Sequence, residues 1–77
     1  MAESSKKYDL SGVHGAEVFR DLAEGLQIRL ANGSIAEIIG NPHDGAILQI
    51  KIVEDASDPS RVGEEEYVFY PDVKEVL

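Results

Sequence analysis

The sequence predicts a mainly β domain with one short N-terminal helix. Three observations lead there. From Leu26 onward the apolar residues recur with a period of two rather than 3.6. Asn32-Gly33, a strong hairpin signal, divides the first such runs. A second turn-rich cluster, Gly40-Asn41-Pro42-His43-Asp44-Gly45, then precedes the longest apolar run of the chain.

Seventy-seven residues make one domain, near the lower end of what folds unaided. A hydrophobic fraction of 43% is that of a globular chain. With no cysteine there is neither a disulfide nor a thiolate metal site. Cohesion then rests on the apolar core, and the expected stability is roughly 3–5 kcal/mol. No stretch approaches the ~20 apolar residues of a membrane span. Residues 1–7 are polar and lack the apolar centre of a secretory signal, so a cytoplasmic location is expected. The same residues read as a disordered tail, leaving 8–77 as the folded unit.

The one helical pattern lies between Tyr8 and Glu24. Val18, Phe19, Leu22 and Ala23 share a face, with Glu17, Arg20, Asp21 and Glu24 opposite. Gly25 stands where a left-handed residue would end the helix. Ser11 is a candidate cap, but Gly12 and Gly15 weaken the start and place the first turn nearer His14. A helix of about ten residues does not persist alone, so its Phe19/Leu22 face must dock on the β core.

Leu26, Ile28 and Leu30 alternate with Gln27 and Arg29 as a half-buried strand. Glu37 decides the hairpin. A two-residue loop would pair Ile28 with Glu37 and turn a carboxylate into the core. A three-residue loop, Ala31-Asn32-Gly33 with Gly33 left-handed, pairs Ile28 with Ala36 and Leu26 with Ile38, and leaves Glu37 outside beside Gln27. Burial of an unpaired carboxylate costs several kcal/mol, which selects the second. Ile35 and Ile39 then face outward and are expected beneath the helix. Ala46 to Glu54 reads as the central strand, with Leu48, Ile50 and Ile52 on one face and Gln49, Lys51 and Val53 on the other. Asp55 to Glu65 is a polar loop with a turn at Asp58-Pro59-Ser60 and a break at Gly63. Glu66 to Tyr70 is a fourth strand ended by Pro71. A 3₁₀ turn at Asp72-Val73-Lys74 leads to a short closing strand, Glu75-Val76-Leu77.

This order of strands, with the Tyr-Val-Phe-Tyr-Pro-Asp-Val ending, resembles SH3-like small barrels over Leu26 to Leu77. The resemblance implies a small antiparallel barrel of 4–5 strands. Such barrels serve peptide binding, nucleic-acid binding and purely structural roles. Peptide-binding members present an aromatic-lined groove to proline-rich ligands. Here there are five aromatic residues and no tryptophan, and Tyr8, Tyr67 and Tyr70 are the candidates for such a groove.

Fifteen acidic against seven basic side chains give a net charge of −8. Phosphate backbones and anionic membranes are repelled, whereas a basic protein surface is attracted. Glu54, Asp55, Asp58, Glu64, Glu65 and Glu66 surround a single Arg61. Their spacing does not match a calcium loop, so they read as a solvated rim or as a docking surface for a basic protein. His43-Asp44 is the nearest approach to a catalytic or metal pair, although a metal needs three or four convergent ligands. Ser34, Ser57 and Ser60 have no activating histidine in sequence, and no glycine pair fits a phosphate-binding loop. The expectation is a non-enzymatic interaction or accessory module without cofactor. Its partner surface is formed by Glu54, Asp55, Asp58, Glu64, Glu65, Glu66, Tyr67, Tyr70 and His43, and its partner is a basic protein. The alternative is an acidic mimic of nucleic acid that occupies a nucleic-acid-binding groove. An enzyme using His43 ranks third.

Overall fold

The change of period at Leu26 is where helix gives way to sheet. In the computed structural model, which describes residues 8–10 and 12–77, the elements are α1 (Gly15–Arg20), β1 (Gln27–Leu30), β2 (Ile35–Gly40), β3 (Ile47–Glu54), β4 (Glu65–Phe69) and β5 (Val73–Val76). Short 3₁₀ turns at Pro59–Arg61 and Tyr70–Asp72 precede β4 and β5. The tail expected at residues 1–7 and the cap considered at Ser11 lie outside the described residues.

The strands form one antiparallel sheet in the order β4-β3-β2-β1-β5. The fold is therefore mainly β with one short helix. Pairing does not join β4 to β5, so the sheet is open, with those two strands as its edges. The run expected as the central strand, β3, is the longest and lies between β2 and β4, while β2 holds the middle position.

Burial alternates as the sequence pattern requires. Ile28, Ala36, Ile38, Leu48, Ile50 and Ile52 turn inward and are inaccessible to solvent. The first hairpin has the three-residue loop. Ile28 stands opposite Ala36 and Gln27 opposite Glu37. The Gly33 N–H donates to the Leu30 carbonyl (2.9 Å), and Gly33 has a left-handed φ of 94°. A side chain other than glycine is strained there.

Two expectations about the helix are corrected. First, α1 has six residues and stops at Arg20 instead of running to Gly25. Asn41 Nδ2 donates to the carbonyls of Arg20 (3.0 Å) and Leu22 (2.6 Å), and His43 Nδ1–H donates to Arg20 (2.8 Å). The carbonyls at the helix end are satisfied from the next loop rather than by another helical turn. Gly25 is left-handed, but it belongs to the entry of β1, where its N–H donates to the Ile38 carbonyl (2.8 Å). Second, the helix covers the inner face. Phe19 and Leu22 are fully buried in one cluster with Ile28, Ile38, Leu48, Ile50 and Ile52. Ile35 and Ile39 are half-buried and are not packed against that cluster, so the helix does not lie over them.

Gly15 explains why the helix can sit so close. A Cβ at this position would collide with the Leu10 carbonyl oxygen and the Tyr70 hydroxyl. Tyr70 in turn donates to the Leu10 carbonyl (2.7 Å) and packs its ring 5.1 Å from Phe19. A glycine that weakens the helix locally thus permits its docking.

Candidate functional site

The residues singled out by sequence separate into structural and accessible groups. Asp55 belongs to the first. Its carboxylate is almost entirely buried and accepts hydrogen bonds from the Ser57 amide (3.1 Å), the Ser57 hydroxyl (2.9 Å) and the Asp58 amide (3.0 Å). These bonds, led by that of the Ser57 hydroxyl, hold the Asp55 pKa below the ordinary carboxylate value against the opposing effect of desolvation. Arg61 approaches within 3.7 Å and supplies a weaker attraction. The neighbouring Ser34 hydroxyl is buried and contributes to lowering the Asp55 pKa. Asp55 is therefore a lock on the start of the loop, with almost no surface exposed.

Arg61 also disarms part of the acidic rim. It pairs with Glu64 (3.3 Å) and with Glu66, and these carboxylates raise its pKa further, Glu64 most strongly. Glu54, Asp58 and Glu65 remain exposed without a cationic partner among the described residues. The six carboxylates grouped by sequence are thus one buried lock, two members of an ion-pair cluster and three free charges.

His43 has a left-handed φ of 62°, uncommon outside glycine. The strain is held by its N–H bond to Asn41 Oδ1 (2.8 Å) and by its ring bond to the helix end. Asp44 Oδ1 accepts from the amides of Ala46 (2.8 Å) and Ile47 (3.3 Å). The pair shapes a turn, and His43 remains exposed on it. Among the described residues, no group of three or more His, Cys, Asp or Glu side chains converges as a metal site.

Tyr67 and Tyr70, expected to act together, differ in exposure. Tyr70 begins the 3₁₀ turn after β4 and packs inward. Tyr67 faces outward with Phe69, two residues on, while Val68 between them is buried. Tyr67 is 62% exposed and Phe69 56%. Across the strand pair they stand opposite Gln49 and Ile47. The strand period of two would have identified Phe69 from sequence, since residues three apart cannot share a face of a strand. The outer face also carries Glu65 opposite Lys51, Lys51 opposite Glu37, and an Arg29–Glu75 ion pair of 2.8 Å.

Along the β4 edge lies a cleft of about 240 Å³, lined by Leu30, Asn32, Arg61, Glu66, Tyr67, Val68 and Asp72. It separates β4 from the tip of the first hairpin and the start of β5. Among the described residues no helix is long and apolar enough to cross a membrane. Compared with known proteins, the chain matches no family model, no curated protein and no solved structure.

Proposed function

We propose that this chain is a small non-enzymatic interaction module of the SH3-like kind, which binds a basic protein through the outer face of β4. One observation carries the reading. Two aromatic side chains of one strand face, Tyr67 and Phe69, stand more than half exposed, in a domain that buries its other phenylalanine completely. Aromatic residues supply large contact area at low entropic cost and recur among binding hot spots. The free carboxylates of Glu54, Asp58 and Glu65 form an acidic surround that speeds encounter with a cationic surface. The barrel reading is supported by the strand order and by the 3₁₀ turn that leads into β5.

The alternative, imitation of a nucleic acid, calls for carboxylates arrayed together on one surface. Burial of Asp55 and the pairing of Glu64 and Glu66 with Arg61 weigh against it.

The test is capture from cell lysate at low and high salt by the wild-type chain, by Tyr67→Ala/Phe69→Ala and by Glu17→Gln/Glu24→Gln. Capture that the aromatic pair abolishes, that the distant glutamates leave intact and that salt weakens is the expected result. Equal loss in both variants would deny the β4 face any specific role. Capture by all three at ~0.5 M salt, where the Debye length is only ~4–5 Å, would remove the electrostatic component.

A further inference from the structure

We infer that the free edge of β4 takes up an extended basic segment of its partner as a sixth, antiparallel strand. The inference rests on the reading of β4 as the contact surface and specifies how the partner is held.

The phase of the β3–β4 ladder follows from its two ends. The Tyr70 N–H donates to the Ala46 carbonyl (2.9 Å) and the Ile52 N–H to the Glu64 carbonyl (2.8 Å). In antiparallel pairing the direction of the backbone groups alternates along the strand. Glu64, Glu66, Val68 and Tyr70 therefore turn their N–H and C=O groups toward β3. Those of Glu65, Tyr67 and Phe69 are aimed at the open side, where no described strand lies. The residues with free backbone groups are the same ones whose side chains occupy the outer face. An unpaired row of this kind is a template for strand addition.

The two sides of the edge define what the added strand carries. Residues directly opposite in a ladder share a face. Those opposite Tyr67 and Phe69 would lie beside exposed aromatic rings, which favours apolar side chains. The intervening residues would point into the cleft, whose carboxylates are Glu66 and Asp72. Arg61 is already engaged by Asp55, Glu64 and Glu66, while Asp72 has no ion pair among the described residues. The cleft therefore favours a lysine or arginine. A second copy of the chain is disfavoured as occupant, since each copy carries −8 and adjacent glutamates at the start of β4.

The probe is a labelled seven-residue peptide of alternating valine and arginine, titrated into the full chain and read by fluorescence anisotropy. Strand addition uses only the amides of the outward-facing residues. Methylation of the valine amides should weaken binding by at least about 10-fold, about 1.4 kcal/mol, and methylation of the arginine amides by far less. An alternating valine–glutamate peptide should not bind. Hydrogen exchange should slow at the amides of Glu65, Tyr67 and Phe69 when the valine–arginine peptide is bound. Absence of binding at roughly 1 mM peptide, weaker than about −4 kcal/mol, would overturn the inference. So would equal binding of the two methylated peptides. If Tyr67→Ala/Phe69→Ala then still removes partner capture, the outer face stands as the contact surface and only strand addition fails. Slowed exchange of the same three amides in a concentration-dependent dimer, without peptide, would overturn it by giving the edge to a second copy.

Discussion

Asp55 is held ionised by hydrogen bonds from Ser57 and from the Asp58 amide, and its pKa lies below the ordinary value. A carboxylate with a depressed folded pKa stabilises the fold above its unfolded pKa, about 3.9, and that stabilisation is lost as the pH falls through the lower folded value. The thermal midpoint should therefore drop as the pH falls below about 4, and Asp55→Asn should flatten this acid limb. At neutral pH, Asp55→Ala should lower the midpoint more than Asp55→Asn, because asparagine keeps an acceptor for the Ser57 and Asp58 donors. An identical acid limb in wild type and Asp55→Asn would deny Asp55 this role. The two tyrosines make the complementary case. Tyr70→Phe loses the bond to the Leu10 carbonyl and should cost about 1 kcal/mol in urea unfolding. Tyr67→Ala, at an exposed position, should stay within ~0.5 kcal/mol. Sequence identified both as aromatic candidates, but it carries no record of the Leu10 carbonyl or of Phe19, which come to Tyr70 from sixty and fifty-one residues away.

At the scale of elements, the strands and their faces were legible because a half-buried strand imposes a period of two. Placing Glu37 in solvent was enough to fix the hairpin register, which the pairing of Ile28 with Ala36 now displays. Glu37→Gln should accordingly change stability by less than ~0.5 kcal/mol, whereas Ile50→Ala should cost about 2–5 kcal/mol. The reverse order in chemical denaturation would mean that the sheet faces are exchanged. The helix was legible in the burial of Phe19 but not in its length: Leu22 and Ala23, expected on its docking face, lie beyond its end, and Ala23 is exposed. Its end is set by Asn41 and His43, residues in a loop two strands further along, and such long-range capping leaves no local signal. Asn41→Ala leaves two carbonyls without that donor and should destabilise by about 1–3 kcal/mol. Phe19→Ala, which empties the centre of the docking face, should cost about 3–5 kcal/mol. A neutral Phe19→Ala would mean that the helix is not docked in solution.

At the scale of the molecule, the negative charge read from composition is distributed less simply than the linear sequence suggests. The segment richest in carboxylates spends one on a buried turn and two on Arg61, while β4 turns two aromatic rings outward beside it. Tertiary pairing of this kind cannot be read from a run of like charges, whereas the exposure of Phe69 follows from strand parity alone. The central claim is that the partner is held by the β4 face and only attracted by the acidic rim. The most direct test is the Kd of the captured partner for wild type, Tyr67→Ala/Phe69→Ala and Glu54→Gln/Asp58→Asn. The aromatic pair should lose at least about 2 kcal/mol, roughly 30-fold. The rim pair should lose less than ~1 kcal/mol, mainly in the association rate. A large loss from the rim pair with an unchanged Kd for the aromatic pair would contradict that claim.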